Sequence, residues 1–167
     1  SAAQAIDALG VPGVVPAIKW VNDVLVDKAK VCGVLAQTQT QGRRVTGAVL
    51  GIGINVETAP AIARDPFVPR AAALSEFIPD PARCNERTIF ARLAGRLADN
   101  YRQLLENGHG KLLEYYLARS AVIGRPAAIF DHKGEIARGT VRAIGQDLEL
   151  YLEGRDAPVI GSRLALR

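Results

Sequence analysis

Ala17-Ile18-Lys19-Trp20-Val21-Asn22-Asp23-Val24-Leu25-Val26-Asp27-Lys28-Ala29-Lys30-Val31-Cys32-Gly33-Val34-Leu35 is the stretch whose reading decides the architecture. Residues 17–26 have strand texture, Asp27-Lys28 supplies a polar turn, and 30–36 return to an apolar, β-branched run. A third run, 44–50, follows the turn at Gln41-Gly42 and leads into Gly51-Ile52-Gly53-Ile54-Asn55-Val56. Three antiparallel strands in a meander, with 17–26 as the first, are the simplest arrangement.

Upstream of this run, 2–9 is an Ala-rich helix with Ile6 and Leu9 on one side, stopped by Gly10 and Pro12. Downstream, five prolines between 57 and 84 (Pro60, Pro66, Pro69, Pro79, Pro81) exclude long helices and central strands, leaving room only for a short helix at 71–77. Asn85 then caps the clearest helix, with Ile89, Leu93, Leu97, Tyr101 and Leu104/Leu105 at spacings of three and four and a stop at Asn107-Gly108. A second helix at 111–117 is expected to pack back against it. From Gly124-Arg125-Pro126 onward, five short runs (127–130, 135–144, 148–152, 159–160, 164–166) predict a small barrel or sandwich. The fold class is therefore α+β, a partial mixed or antiparallel sheet with helices on one side, followed by an all-β unit; the division falls at 1–122 and 123–167.

Composition narrows the function classes. Hydrophobic residues make up 49% and charged residues 23%, and no apolar run approaches the roughly 18 residues of a membrane span, so no membrane partner is expected. Lys plus Arg outnumber Asp plus Glu 21 to 17, a surplus too small and scattered to argue for nucleic acid through this region. Cys32 and Cys84 have no second Cys or His at ligand spacing, which excludes a metal finger and a disulfide framework and fits a reducing cytoplasm. The absence of Met and the start at Ser1, with no leader, fit a segment cut from a longer chain.

The candidate chemistry gathers on the first two strands. Lys19-Trp20-Val21-Asn22-Asp23 crowds a cation, an indole, an amide and a carboxylate together; read as one pleated strand, it sets Lys19, Val21 and Asp23 on one face and Trp20 and Asn22 on the other. An exposed Lys, a core Trp and an Asn-Asp turn would satisfy the same string. Lys30 adds a second ammonium, returned toward Asp23 by a hairpin at Asp27-Lys28. Two ammonium groups and a carboxylate on one face suit a polyphosphate with its magnesium. Gly33, inside an apolar strand, marks either a β-bulge or a close approach of a flat ligand to the backbone, and Gly51-Ile52-Gly53 invites the same pair of readings. His109 and His132 fall in turns, and Cys32 reads as a small core residue.

Taken in order, Lys-Trp-Val-Asn-Asp, Lys-Val-Cys-Gly-Val-Leu and Gly-Ile-Gly-Ile-Asn-Val resemble the biotin protein ligase family, the biotin–acetyl-CoA-carboxylase ligases, over nearly the whole chain. The resemblance implies the C-terminal half of a catalytic domain followed by an SH3-like barrel. It also implies a two-step reaction: biotin and ATP with Mg2+ give biotinyl-5′-adenylate, and a lysine of a biotin carboxyl-carrier domain then takes the biotinyl group. By similarity, Lys30 contacts the biotin carboxylate and the α-phosphate as the catalytic cation. Lys19, Asn22, Asp23 and Asn55 bind ATP and adenylate, with Asp23 also on the metal. Gly33 lies beside biotin, and Arg125 and Arg167 reach the nucleotide from the barrel.

Three departures accompany the match. Val21 stands where the family usually has Pro, Gln37 where it commonly has Glu, and the family's Gly-x-Gly-Arg-x-Gly-Arg loop does not occur among the 167 residues. A truncated, inactive half-site is expected, leaky to water and poor at binding biotin plus ATP by itself. Its open sheet edge is expected to meet either a missing N-terminal half or a second copy. A lipoate protein ligase-like subunit and a non-catalytic remnant serving as a binding module are the alternative readings.

Overall fold

The computed structural model describes residues 1–42, 44–61, 66–68 and 70–166. Helix α1 (Ala2–Asp7) buries Ala2, Ala3 and Ile6 and ends before Gly10, whose φ of +61° is one that glycine adopts without penalty. Four antiparallel strands follow in spatial order: β1 (Ala17–Lys19), β2 (Asp23–Val26), β3 (Ala29–Gln41) and β4 (Arg44–Ile54).

This corrects the three-stranded meander. Lys19-Trp20-Val21-Asn22-Asp23 is a reversal joining two short strands, in which Lys19 pairs with Asp23. The chain turns because Trp20 leaves the sheet for a second hydrophobic core; a pleated continuation would have kept the indole on the sheet's own face. Lys19 and Asp23 share a face all the same, as cross-strand partners. The turn at Asp27-Lys28 is as expected, with φ of 45° and 64°, the positive pair that a two-residue type I′ hairpin demands.

Between β2 and β3 the register slips by one: Leu25 pairs with Lys30 but Val24 with Cys32. Val31 is the extra residue of a β-bulge, so Val31 and Cys32 both enter the first core while Lys30 and Gly33 both stay on the opposite face. In unbroken alternation, residues three apart would face opposite ways. The bulge is thus two residues before Gly33, not at it.

The segment after β4 is held by backbone bonds to β3 and carries only a short 3₁₀ turn at Leu74–Glu76, where 71–77 was expected to be helical. Helix α2 (Glu86–Asn107) is capped as expected, Asn85 accepting from the Thr88 N–H at 2.9 Å. Its apolar stripe is only partly buried: Ile89 and Leu93 reach the first core, while Phe90, Tyr101 and Leu105 stand exposed. Helix α3 (Gly110–Ala118) packs back against α2 and is also tied to α1 and the second core. Tyr115 donates to Asp7 at 2.7 Å, Arg119 pairs with the same carboxylate at 2.8 Å, and Tyr116 and Leu117 pack beyond.

The C-terminal unit is a four-stranded antiparallel sheet in the order β7 (Leu150–Leu152), β6 (Gly134–Ile144), β5 (Pro126–Asp131), β8 (Arg163–Leu166). Of the five expected strands, 159–160 contributes a single bridge from Val159 to Leu150, and no closed barrel forms among the described residues. Long β6 pairs with β5 along its first part and with β7 along its last, folding Ala137, Val141 and Ile144 onto Ile129, Leu150, Leu152 and Leu164 as the second core. No helix among the described residues is long and apolar enough to cross a membrane.

Candidate functional site

Cross-strand pairing lays one row of residues over the first sheet: Lys19 opposite Asp23, Asp23 opposite Gly33, Gly33 opposite Gly53. A second row sets Ala17 opposite Leu25 and Leu25 opposite Lys30. All of these face away from the first core, because their neighbours Val24, Val26, Val31 and Cys32 fill it. One face of the sheet therefore presents two ammonium groups and a carboxylate, and beside them bare backbone.

Lys30 Nζ lies 2.6 Å from Asp23 Oδ1, with the two side chains 30% and 13% exposed. Gly33 leaves room for the contact: a β-carbon there would stand 3.3 Å from both Lys30 Cε and Nζ and 3.6 Å from Asp23 Oδ1. Lys19 is buried, at 6% exposure, and donates to the Phe67 carbonyl at 2.8 Å. A desolvated ammonium is costly to fold around and marks candidate sites of anion chemistry. Lys19, Asp23 and Lys30 line one cavity of about 450 Å³, closed on its far side by Phe67, Val68 and the C-terminal unit's Arg125 and Leu166.

Arg125 is thus brought into the site, whereas Arg167 lies outside the described residues. Asn22 lines a smaller adjoining depression with Lys19, Asp23 and Lys30, and its amide donates to the Val34 carbonyl at 2.7 Å, tying the turn to β3. Asn55 is not among the residues lining either depression; its amide donates to the Ala72 carbonyl at 3.0 Å and holds the segment beyond β4. Over Gly53 an added β-carbon would meet nothing within 4 Å. Ile52 and Ile54 pack on the first core, so the alternation in Gly51-Ile52-Gly53-Ile54 separates core from bare surface.

Two cations of the cavity had no signal in the sequence. Lys28 reads as a turn residue, and only the I′ geometry aims it at the cavity. Arg70 lies in the Pro-rich segment and arrives through backbone pairing, the Lys30 N–H donating to the Arg70 carbonyl and the Ala72 N–H to the Lys30 carbonyl. Glu76 holds the Arg70 guanidinium at 2.6 Å; an Ala73 N–H bond and that guanidinium keep the Glu76 carboxyl below the usual range. Cys32, directly beneath, is no nucleophile: burial, helped by Asp23 and opposed by Lys30, pushes its thiol up to about 11.

No group of three His, Cys, Asp or Glu side chains that could hold a metal occurs among the described residues. A resident metal does not fit one carboxylate. A magnesium ion held chiefly by phosphate oxygens, which asks only one or two carboxylates of a protein, fits Asp23.

Residues 1–55 match the model of the biotin/lipoate A/B protein ligase family. The chain is 35% identical over 129 residues to the biotin–[acetyl-CoA-carboxylase] ligase of Paracoccus denitrificans, covering 72% of this chain and 51% of that protein. It is 30% identical over 145 residues to the Mycobacterium tuberculosis enzyme of the same name, covering 87% and 50%. The chain thus spans about half the length of these two curated relatives. The Aquifex aeolicus biotin protein ligase in complex with biotin and ATP has the same fold, with a TM-score of 0.73 at 18% identity over 99% of this chain and 67% of that one. The chain belongs to the biotin protein ligase family.

Proposed function

We propose that this chain supplies the phosphate-facing wall of an enzyme that joins biotin to ATP as biotinyl-5′-adenylate and passes the biotinyl group to a lysine of a carrier domain. The convergence of Lys19 and Lys30 on one cavity carries the reading. In the first step a biotin carboxylate oxygen attacks the α-phosphorus, the bond to the β-phosphate bridging oxygen breaks, and pyrophosphate leaves. Negative charge grows on the phosphoryl oxygens, and Lys30, already oriented by Asp23, offsets it without reorganisation. Lys19 holds the outer phosphates. Asp23 would also hold a magnesium ion that comes with ATP, and that ion would supply further neutralisation of phosphate charge. In the second step the carrier lysine's amine attacks the acyl carbon and AMP departs with the electron pair.

Gly53 gives biotin a floor without a side chain, Gly33 seats the Lys30 ammonium at the edge of that floor, and Arg125 meets the nucleotide from the C-terminal unit. The anhydride needs shelter from water. We assign that closure to a Gly/Arg-rich loop that the 167 residues do not include, and expect them to bind biotin plus ATP poorly by themselves.

The test is biotin-dependent release of pyrophosphate from ATP by the intact protein that carries this chain, with capture of the biotinyl group on a carrier domain. Biotinyl-adenylate that forms in the unaltered protein and is lost in Lys30→Met supports the reading. Adenylate from lipoate instead would make the enzyme a lipoate ligase, and none from either acid would leave a binding module.

A further inference from the structure

The turn that carries the site is built into the C-terminal unit. Trp20 is buried at 7% exposure, yet its neighbours are not those of the first sheet: its indole packs in the second core with Val122, Ile129 and Leu150. Its Nε1–H donates to the Leu148 carbonyl at 2.7 Å. Leu148 has φ +62°, a region a leucine seldom occupies, and it holds that backbone in the tight turn between β6 and β7 that carries the receiving carbonyl.

Two further ties run the same way. Tyr116 donates its O–H to the Val21 carbonyl at 3.1 Å. Phe67, whose carbonyl accepts from Lys19, packs edge-on against Phe130 at 5.0 Å between ring centroids and lies under the Arg163 guanidinium at 3.5 Å. The flanks of the turn hold Lys19 and Asp23, the two residues whose register sets the charged row.

We propose that Trp20 is a positioning residue, a latch by which the C-terminal sheet fixes the turn so that Lys19 and Asp23 meet the phosphate end of the nucleotide. Trp20 touches no ligand in this account; it acts through its neighbours on either side. An unlatched turn loses nucleotide affinity, while the biotin floor at Gly53, held by β3–β4 pairing, stays intact. The kinetic half of the proposal rests on the biotin ligase reading; the structural half does not.

Trp20→Phe removes the donor and keeps most of the packing. In amide exchange on the 167-residue chain, residues 19–24 are expected to exchange about 5- to 10-fold faster, the scale of one lost hydrogen bond, with 36–54, which pair only between β3 and β4, unchanged. In the intact protein the ATP KM is expected to rise about 5- to 10-fold while the biotin KM stays within about twofold. Should Trp20→Phe fail to fold, Tyr116→Phe, which removes the tie to Val21, should move both readouts in the same direction. Unchanged exchange at 19–24, or KM values for ATP and biotin that rise together, would overturn the latch. Failure of the unaltered protein to make adenylate would count against the function instead, and the exchange result would still decide the latch.

Discussion

Lys30 lies across the face of Gly33, its Cε and Nζ both 3.3 Å from where a β-carbon would stand. The glycine is there for the ion pair: with Gly33 bare, the Lys30 ammonium reaches Asp23 flat along the sheet. In Gly33→Ala the methyl displaces a flexible side-chain end, so the cost in packing is offset by the lower chain entropy of alanine. We expect stability within about 1 kcal/mol of the parent and a Tm within about 3 °C, read by thermal unfolding. Adenylate formation by the intact protein should fall at least about tenfold, because the ammonium no longer sits where it is needed.

Lys30 and Asp23 should separate stability from activity. Lys30→Met leaves a carboxylate that is 13% exposed without its cation, and so destabilises; Asp23→Asn added to it should recover most of that loss. Activity should not recover. Loss of one charge-stabilising donor costs roughly 10²- to 10³-fold in turnover, and the double variant should be at least as impaired. Denaturant midpoints and pyrophosphate release for the parent, the Lys30→Met and Asp23→Asn single variants and the double variant check both halves.

Gly53 offers the converse case. Its added β-carbon would meet open space and its backbone is ordinary strand, so Gly53→Val should hold or raise stability by up to about 1 kcal/mol through strand propensity. If biotin lies on this floor, the same substitution raises the biotin KM in the intact protein at least about tenfold with little effect on the ATP KM.

The alkaline limb of stability is set by buried acids that resist ionising. Cys32 is pushed from an ordinary 9.0 to about 11 by burial; burial likewise raises Cys84, Tyr115 and Tyr116, with Asp7 adding to the effect on Tyr115. In the unfolded chain these groups ionise first. Above pH 9 the unfolded state therefore binds fewer protons than the folded one and stability falls as pH rises; the Cys32 share of the fall ends near 11, where the folded thiol itself ionises, and the two tyrosines carry the fall further. Cys32 alone accounts for about 2 to 3 kcal/mol of that fall. Urea unfolding between pH 8 and 11 should show it, and Cys32→Ala should flatten the curve.

The sequence was legible where a local rule acts alone. Asn85 and Gly108 bracket α2 because capping is decided within one turn, and Asp27-Lys28 makes a hairpin because the flanking strands leave it no room for anything else. Lys19, Asp23 and Lys30 share one face, as strand alternation and a hairpin predict, but the pairing that puts Lys19 and Asp23 there is cross-strand. A straight strand was expected where Trp20 pulls the chain into a turn, and the outcome agreed because cross-strand partners share a face as alternate residues do. The bulge at Val31 could not be read locally, since it depends on two adjacent side chains both finding the core. Arg70 and Phe67 were out of reach for the same reason: backbone pairing between distant segments brings them to the cavity. Asn55 braces the segment that carries Arg70, a contact that no local pattern in the sequence announces.

The central claim is that Lys19 and Lys30 serve one anion. Nitrogen-15 spectra of the lysine ammonium groups, recorded while tripolyphosphate with magnesium is titrated into the 167-residue chain, test it even if binding is weak. The account predicts that the Lys19 and Lys30 signals shift together along one saturation curve, with Lys111 and Lys133 unmoved. Shifts at only one of the pair, or equal shifts at all the lysines, would contradict it.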